Sequence, residues 1–269
     1  MSTKLSSVVV VRGAGDLATG VIAKLASSGF LVMALETSKP TAIRRRVSLS
    51  ECMYDGYAQV ENVRALKVKD LDEALRCIEL DVVPVLEDPE CLSIADNAPM
   101  ALVDAIIAKR NIGTRLSMAP IVIALGPGFV AGVDAHAVVE TSRGHNLGRV
   151  LFSGRAAENT GQPGVIGGYS IERVVHAPCA GQVTILRDIG SIVEKSEPLL
   201  EVGACVVPAP LSGLVRGMIR GGSFVDEGTK IADVDPRGAS VDFTSISDKA
   251  RAIAGGVLEA ILHLGARPQ

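Results

Sequence analysis

One motif occurs twice in this chain, at residues 177–202 and again, 32 positions later, at residues 209–234. Each copy reads Ala-Pro, a glycine, an alternating apolar run, Gly-Ser, a valine and a short apolar strand. The matched residues are Ala177/Ala209, Pro178/Pro210, Gly181/Gly213, Val183/Val215, Gly190/Gly222, Ser191/Ser223, Val193/Val225, Leu199/Ile231 and Val202/Val234. A repeat at a fixed offset indicates a duplicated supersecondary unit. Short alternating strands between Gly and Pro residues predict that this unit is β-structure.

The two copies resemble the clasped halves of the barrel-sandwich hybrid found in biotinyl and lipoyl carrier domains. In those carriers the modified lysine lies in the turn that joins the halves. The corresponding joint here, residues 203–208, reads Gly-Ala-Cys-Val-Val-Pro and contains no lysine. We therefore expect the shape of this fold without covalent biotin or lipoate.

The overall composition excludes several classes of protein. The 27 basic and 30 acidic residues give a net charge of −3, which provides no global electrostatic reason to bind nucleic acid or an anionic membrane. No apolar stretch approaches the roughly 18–20 residues that a membrane span needs, and the first residues do not read as a signal peptide. The five cysteines are widely spaced without a CxxC motif, which is typical of a reduced cytoplasmic protein.

Alternating strands and helices predict an α/β fold for the first part of the chain. Ser6–Arg12 is apolar on both faces, as a central parallel strand requires. Asp16–Ser28 has helical spacing, and Phe30–Leu35 is a second strand, so the chain opens with a βαβ unit. Further predicted elements are strands at Ala65–Val68, Val82–Leu86, Ala101–Ala105 and Ile121–Leu125 and a helix at Leu71–Glu79.

These patterns predict three regions. Residues 1–172 are expected to form a Rossmann-like dinucleotide-binding domain with a parallel sheet and Gly-rich loops, and residues 173–236 the duplicated β-domain. Residues 237–269 contain an amphipathic helix at Ser245–Leu264, with Ser245 as its predicted N-cap. We expect this helix to pack back on the sheet.

A dinucleotide fingerprint follows the first strand, where residues 12–18 read Arg-Gly-Ala-Gly-Asp-Leu-Ala. Gly13 permits the tight turn, Gly15 permits close approach of a pyrophosphate, and Ala18 permits close helix–strand packing. The helix N-terminus then holds the anion. Glu36 ends the second strand about 20 residues further on, where a carboxylate binds a ribose 2′-hydroxyl. The candidate cofactor-binding residues are therefore Gly13, Ala14, Gly15, Asp16, Leu17, Ala18 and Glu36.

Asp16 leaves two interpretations of this loop open. A carboxylate at the start of a helix either competes with phosphate for the same N–H groups or caps the helix. The alternative for the loop as a whole is a tight strand–helix turn that holds no ligand.

A basic run, Arg44-Arg45-Arg46, follows shortly after Glu36. Arginine suits bidentate phosphate binding, so this run is a candidate for a 2′-phosphate or for the phosphate of a larger dinucleotide. A solvated basic turn is the alternative. Because three adjacent side chains cannot all point inward, at most two act, and Arg44 and Arg45 are the candidates.

The central loops supply further candidates. Gly126, Pro127 and Gly128 follow a predicted strand, at the edge where ligands bind in open α/β sheets. Arg143 and His145 lie in a later Gly-rich loop and are candidate contacts to an anion or another ligand. The polar loop at 159–164 is either a further ligand loop or a plain connector.

Two other groups of titratable residues have more than one interpretation. His136, Glu140 and His145 could be metal ligands, but strand residues four apart lie about 13 Å from each other, so no metal site is expected. Asp104 and Lys109 could form an acid/base pair or a surface ion pair.

Together these motifs resemble a known family. The stretches VVVRGAGDLATG, KPTAIRRRVSLSE, LVDAIIAKRN, VIALGPGFVAGVDAHAVVETSRGHNLGRV, NTGQPG and IADVDPR look like the selenium-dependent molybdenum hydroxylase system accessory family, over residues 8–264. The resemblance implies a bacterial, cytosolic protein associated with maturation of molybdenum hydroxylases that carry labile selenium. It also implies similarity of the first domain to the xanthine dehydrogenase accessory proteins, which bind and help to insert molybdenum cofactor.

We therefore expect an accessory protein that binds a dinucleotide, either molybdopterin cytosine dinucleotide or NAD(P), for delivery or modification. Its expected partners are a client molybdenum hydroxylase or other cofactor-maturation proteins. An NAD(P)-dependent oxidoreductase using the same loop is the alternative, and a scaffold with a vestigial loop is a third. No residue forms a convincing hydride-transfer centre, and no cysteine lies in an obvious sulfur- or selenium-transfer setting. Whether a reaction is catalysed and whether the chain forms a homo-oligomer stay open.

Overall fold

The computed structural model describes residues 3–162 and 164–268, so Pro163 of the loop at 159–164 lies outside the described residues. The chain divides into two compact units. The first comprises Met1–Pro40, Ser48–Asn159 and Ile246–Gln269, and the second comprises Thr41–Val47 and Thr160–Ser245. The C-terminal helix therefore belongs to the first unit, and the segment with the three arginines belongs to the second.

A nine-stranded sheet organises the first unit. The strands of this unit are β1 (Val8–Arg12), β2 (Leu31–Glu36), β3 (Tyr57–Val60), β4 (Val63–Val68), β5 (Val83–Glu87), β6 (Ala101–Asp104), β7 (Val122–Leu125), β8 (Val130–Ala131), β9 (Ala137–Val139), β10 (Val150–Leu151) and β11 (Gly154–Arg155). The order in the sheet is β10-β9-β7-β6-β1-β2-β5-β4-β3, and β8 and β11 form a separate antiparallel pair. All neighbours from β9 to β4 are parallel, whereas the edge strands β10 and β3 are antiparallel. The predicted α/β class is confirmed.

The central parallel strands are covered on both faces. Val8, Val9, Val10 and Val11 of β1 have no exposed surface, which is the burial that a strand with helices on both faces requires. The helices of the unit are α1 (Asp16–Ser27), α2 (Cys52–Asp55), α3 (Leu71–Glu79) and α4 (Asp248–His263).

Helix α4 packs against α1 and against strands β7, β9 and β10. The two helices approach closely at Gly20, where a Cβ would lie only 2.8 Å from Ala250 Cβ. The prediction of Ser245 as N-cap is wrong, because the Ser247 side chain accepts the hydrogen bond from Ala250 N at 3.2 Å. The chain just before the helix is held elsewhere, since Ile246 N donates to Glu61 Oε1 at 2.8 Å.

The strand order reverses between β1 and β6. From β1 the chain continues to β2, β5 and β4 on one side of the sheet, and the later strands β6, β7 and β9 lie on the other side. In open α/β sheets the carboxyl ends of the strands at such a reversal form the crevice where ligands bind. The predicted glycine loop follows β1 and therefore lies at this point.

The second unit consists of two four-stranded antiparallel sheets. Its strands are β12 (Val174–His176), β13 (Gly181–Ile185), β14 (Ile192–Val193), β15 (Pro198–Val202), β16 (Cys205–Pro208), β17 (Gly213–Met218), β18 (Phe224–Val225) and β19 (Lys230–Asp235). One sheet has the order β12-β19-β17-β14 and the other the order β16-β15-β13-β18. Strands β13, β14 and β15 of the first copy recur in the second copy as β17, β18 and β19.

The two copies exchange their middle strands. Gly181 of β13 pairs with Val225 of β18, and the equivalent pair in the other sheet is Gly213 of β17 with Val193 of β14. Each copy therefore completes the sheet of the other. A single copy could not bury its apolar residues alone, and the buried core of this unit draws on both copies.

Candidate functional site

The loop between β1 and α1 is a tight turn that ends at an open helix terminus. Gly13 has φ +101°, in the left-handed region that favours glycine, and a Cβ there would lie 3.2 Å from Ile106 Cγ2. Gly15 is the N-cap of α1 with φ −70°, and nothing lies within 4 Å of a Cβ built at this position. The first N–H groups of a helix lack intrahelical partners and favour anions. Asp16 and Leu17 open the helix half-buried, and Ala18 is buried.

Glu36 holds this loop in shape. Its Oε2 accepts a hydrogen bond from Ala14 N at 2.8 Å, and its Oε1 accepts one from Thr37 N at 2.8 Å. Burial raises the pKa of the carboxyl group, and the two backbone hydrogen bonds oppose that rise. Because each carboxylate oxygen can accept more than one hydrogen bond, a ribose hydroxyl could still donate to Glu36 without displacing Ala14.

A short segment packs onto the same loop and was not anticipated from the sequence. Ser50 N donates to Ala14 O at 2.8 Å, and Leu49 N donates to Thr19 Oγ1 at 2.9 Å. Thr19 Oγ1 in turn donates to Ala14 O at 3.1 Å, and both Thr19 and Ser50 are fully buried. The segment is a 3-10 turn without strand or helix periodicity, so no pattern in the sequence marked it.

A buried ion pair braces the neighbouring strand ends. Arg12 Nη1 lies 3.3 Å from Asp104 Oδ2, and Thr114 Oγ1 donates to the same oxygen at 2.5 Å. Arg12 also donates to Pro89 O through Nε and Nη2, at 3.0 and 2.8 Å. Asp104 is 1% exposed, so the interpretation of Asp104 and Lys109 as a surface ion pair is wrong. A buried Arg12 requires a buried counter-charge, and Asp104 supplies it.

The loop that follows β6 has unusual backbone geometry beside the glycine loop. Ile107 has φ 55° and Lys109 has φ 62°, although neither is a glycine. A β-branched residue in this region is an outlier, and such outliers cluster at binding sites. The loop starts near Ile106, the residue against which Gly13 packs. The unusual backbone therefore lies beside the glycine loop, at the point where the strand order reverses.

The predicted loop Gly126-Pro127-Gly128 packs closely against its neighbours. Gly126 has φ 75°, and a Cβ there would lie 2.5 Å from Thr141 Oγ1. Gly128 has φ 104°, and a Cβ there would lie 2.5 Å from Arg110 Cα. The loop after β6 is therefore in contact with the glycine loop at its start and with Gly128 further along.

A cleft with a volume of about 580 Å³ opens at the same sheet edge. Its walls carry charges of both signs and two amides, and the lining includes Lys109, Asn111, Gly128, Asp134, Arg155 and Glu158. Asn111 Nδ2 donates to Asp134 Oδ1 at 3.2 Å, and Asp134 Oδ2 accepts from Val130 N at 2.7 Å. The cleft is within the range of about 300–1,000 Å³ that is typical of ligand sites.

A cluster of charges lies where α4 meets the sheet. Arg143 forms an ion pair with Asp248, with 2.9 Å between Nη1 and Oδ2, and Arg143 is exposed. Lys249 is half-buried on α4, and burial and the positive charge of Arg143 lower its pKa, while Asp16 and Glu140 oppose that fall. Lys249 is therefore a basic group within electrostatic range of the helix terminus at Asp16.

Arg44 and Arg45 make their contacts within the second unit. Arg44 is 8% exposed and forms a β-bridge with Met218. Arg45 Nη2 donates to Asp188 Oδ1 at 2.5 Å, and Arg45 Nε donates to Met218 O at 2.8 Å. The guanidinium of Arg45 thus has an acidic partner in this structure.

The remaining titratable candidates are placed as follows. His136 Nδ1 accepts a hydrogen bond from Val122 N at 2.9 Å, and His145 is exposed. Across residues 3–162 and 164–268, no group of three or more His, Cys, Asp or Glu side chains could hold a metal ion. In that same part of the chain, no helix combines the length and the apolar character needed to cross a membrane.

The structure thus brings Gly13–Ala18 and Glu36 together and places Gly126–Gly128 at the same sheet edge. It adds Lys249, which comes from the C-terminal end of the chain and which sequence reasoning missed. The sequence predicted that the terminal helix packs back on the sheet, but this prediction did not identify which side chains of the helix lie near the glycine loop.

These observations define the class of the protein: it is an α/β protein with an open glycine loop at the point where the strand order reverses. No family model matches the chain. The chain is 49% identical over 256 residues to a protein of Escherichia coli (strain K12) named "Uncharacterized protein YqeB", a match that covers 95% of this chain and 47% of that protein. The similarity supports a YqeB-like relationship, and the chain spans about half the length of this curated relative.

Among solved structures, the product-bound ectoine utilization protein EutE (DoeB) from Ruegeria pomeroyi shares 11% sequence identity with the chain. The comparison covers 88% of this chain and 87% of that structure, with a TM-score of 0.28. A TM-score this low does not establish a common fold.

Proposed function

We propose that this protein is a cytoplasmic accessory factor for the maturation of selenium-dependent molybdenum hydroxylases, and that its first unit binds a dinucleotide, with molybdopterin cytosine dinucleotide as the favoured ligand. The pathway rests on the resemblance of the sequence stretches at residues 8–264. The binding proposal rests on one observation, the open space over Gly15 at the N-terminus of α1.

In this proposal the first unit is Rossmann-like, and the pyrophosphate binds the N–H groups at the start of α1. Gly15 lets the phosphate approach the backbone, and Glu36 accepts a ribose hydroxyl while it keeps its bond to Ala14. Lys249 contributes positive charge near the helix terminus. The rest of the ligand extends along the loop after β6 toward the cleft beside Gly128.

An NAD(P)-dependent oxidoreductase is the second candidate function. It is supported by Glu36 at the end of β2, where a carboxylate commonly binds the ribose hydroxyls of NAD. The two candidates share the glycine loop and differ in the second half of the ligand. A panel of ligands therefore separates them, whereas a single substitution in the loop does not.

For the second unit we propose a barrel-sandwich hybrid that docks a client hydroxylase and carries no covalent cofactor. The exchange of β14 and β18 between the two copies supports this fold. The joint at residues 203–208 has no lysine to which biotin or lipoate could be attached.

The test is a binding panel with NAD, NADP, ATP, CTP and molybdopterin cytosine dinucleotide on wild-type protein, read by ligand-induced thermal shift. A ligand that binds only the folded state stabilises it by about 2.7 kcal/mol at 100 times its Kd. The panel is repeated with Gly15→Val, which fills the space over the loop. The control is Gly255→Ala, because Gly255 also has nothing within 4 Å of a built Cβ but belongs to α4 and not to the loop.

We expect a shift with molybdopterin cytosine dinucleotide that is lost in Gly15→Val and kept in Gly255→Ala. A shift with NAD or NADP alone would favour the oxidoreductase. If no dinucleotide binds, or if Gly15→Val binds as tightly as wild type, the glycine loop is not the site.

A further inference from the structure

Two cysteines of the second unit are in contact, and one of them lies in the joint at residues 203–208 between the two copies of the repeat. Cys205 begins β16 directly after the turn at Gly203, and it pairs with Val202 across the β15–β16 hairpin. Cys179 lies just before β13. The two Sγ atoms are 2.9 Å apart, so the thiols are in direct contact.

The backbone holds these thiols together. Gly203 N donates to Gln182 O at 2.9 Å, and a Cβ on Gly181 would lie only 2.8 Å from Gly203 N. The chain at Cys179–Gly181 and the turn before Cys205 are therefore packed backbone to backbone. The Cys179 thiol has Val202 O at 3.3 Å as a second acceptor for its single proton.

The pair differs from two of the other cysteines in exposure and from the third in having a thiol neighbour. Cys179 and Cys205 are both half-exposed, whereas Cys52 and Cys91 are buried. Burial raises the pKa of the Cys52 and Cys91 thiols to about 12 in each case, which removes them as nucleophiles at neutral pH. Cys77 is half-exposed on α3, and burial also raises the pKa of its thiol.

We propose that Cys179 and Cys205 form a thiol–disulfide exchange site that takes a small or protein disulfide as substrate and closes into an intramolecular disulfide. A disulfide bond is about 2.05 Å long, so closure requires the Sγ atoms to approach by roughly 0.9 Å. Side-chain rotation at a half-exposed turn can supply this movement. The site lies in the second unit and does not depend on dinucleotide binding by the first.

The chemistry balances in two exchange steps. The Cys205 thiolate attacks one sulfur of the substrate disulfide, whose S–S bond breaks, and the first substrate thiolate leaves and takes up a proton. Cys179 then loses its proton to solvent and attacks Cys205 Sγ in the mixed disulfide, which releases the second substrate thiolate. The protein dithiol is oxidised by two electrons, and the substrate disulfide is reduced to two thiols. Contact with Cys205 raises the pKa of the Cys179 thiol, which is consistent with Cys205 as the attacking group.

The experiment incubates the full-length protein in buffers of increasing oxidised-to-reduced glutathione ratio. The samples are quenched in acid, unfolded, alkylated and weighed by intact-protein mass spectrometry, and peptide mapping locates any cross-link. We expect oxidised wild type to carry two fewer alkyl groups than reduced protein, no glutathione, and a link between Cys179 and Cys205. Excess reduced glutathione should restore the full set of alkyl groups.

Three variants make the result specific. Cys179→Ser should trap glutathione on Cys205, and Cys205→Ser should react at Cys179 at least tenfold more slowly. Cys77→Ser, the matched control on the first unit, should form the internal disulfide as wild type does. The proposal fails if wild type ends with glutathione on both cysteines, keeps all its thiols, or forms a different cross-link. The peptide map of wild type decides the matter even if a serine variant does not fold.

Discussion

The Glu36 carboxylate accepts a hydrogen bond from the backbone N–H of Ala14, with 2.8 Å between Oε2 and N. The acid that ends β2 is therefore also a structural support of the glycine loop, since it holds an N–H group in the middle of the turn. This dual use means that changes at Glu36 alter both the fold and the proposed ligand site, and the two effects have to be measured separately.

Glu36→Gln should destabilise the fold by about 1–3 kcal/mol, because an amide presents only one oxygen to two N–H donors. The pH dependence follows from the raised pKa of Glu36 in the folded state. The stability that this group contributes is fully present below the unfolded pKa and declines as the pH rises through the folded pKa. The cost of the substitution should therefore be larger near pH 4 than at pH 7, as measured by urea unfolding.

Glu87→Gln is the matched control for that experiment. Glu87 ends the adjacent strand β5 at the same register as Glu36, but it is exposed and faces Lys67 at 3.8 Å. An exposed ion pair of this kind contributes about 0–1 kcal/mol. Equal effects of the two substitutions at every pH would contradict the supporting role of Glu36.

Several parts of this structure follow from the sequence, and their physical reasons are local. The uninterrupted apolar run Val8–Val11 predicts a buried parallel strand, and Gly13 marks a left-handed turn that no other residue forms as easily. The repeat likewise predicted the duplication in the second unit, but pairing between its copies depends on two-residue strands that no sequence period can reveal.

The parts of the candidate site that the sequence did not predict depend on contacts between residues far apart in the chain. Lys249 comes within electrostatic range of Asp16 because α4 packs against α1. Helical periodicity shows which face of a helix is apolar but not where the helix docks. Ser50 bonds to Ala14 from a segment with no regular period. The sequence offered Lys109 as the partner of Asp104, in an acid/base pair or a surface ion pair, because Arg12 lies far away in sequence and only the parallel register of β1 and β6 brings Arg12 and Asp104 together.

Gly13 and Gly15 should respond differently to the same substitution. Gly13→Ala places a Cβ at a left-handed φ and within 3.3 Å of the Ala105 backbone, which we expect to cost about 1–3 kcal/mol. Gly15→Ala meets no atom within 4 Å at an ordinary φ, so it should change the unfolding free energy by less than about 1 kcal/mol. Guanidinium unfolding of the two variants checks the contrast, and similar midpoints would show that the loop geometry is wrong.

Arg12→Met should be among the most damaging single changes in the first unit. It leaves Asp104 as a buried charge without its counter-ion, which typically costs about 3–5 kcal/mol. Arg143→Met provides the control, because Arg143 belongs to an ion pair with an exposed partner, Asp248, worth about 0–1 kcal/mol. The difference between the two variants, measured by equilibrium denaturation, should exceed about 2 kcal/mol. A loss below this for Arg12→Met would mean that Asp104 finds another partner or solvent.

Lys249→Met should separate stability from binding. Because burial lowers the pKa of Lys249, the unfolded chain holds this proton more tightly, and the resulting cost to stability is present at neutral pH and is relieved as the pH rises toward 10.5. The substitution should therefore leave stability at pH 7 unchanged or slightly raised. Dinucleotide affinity should fall about tenfold, equivalent to about 1.4 kcal/mol, through loss of one charged contact to phosphate.

Lys24→Met, on the last turn of α1, is the control, since it removes the same charge from the far end of the helix. It should leave dinucleotide affinity within twofold of wild type when both are measured by calorimetry at the same ionic strength. If Lys24→Met weakens binding as much as Lys249→Met, the effect comes from the net charge of the unit. If Lys249→Met binds as tightly as wild type, the C-terminal helix contributes to the fold alone, and the positive charge at the glycine loop must come from another part of the molecule.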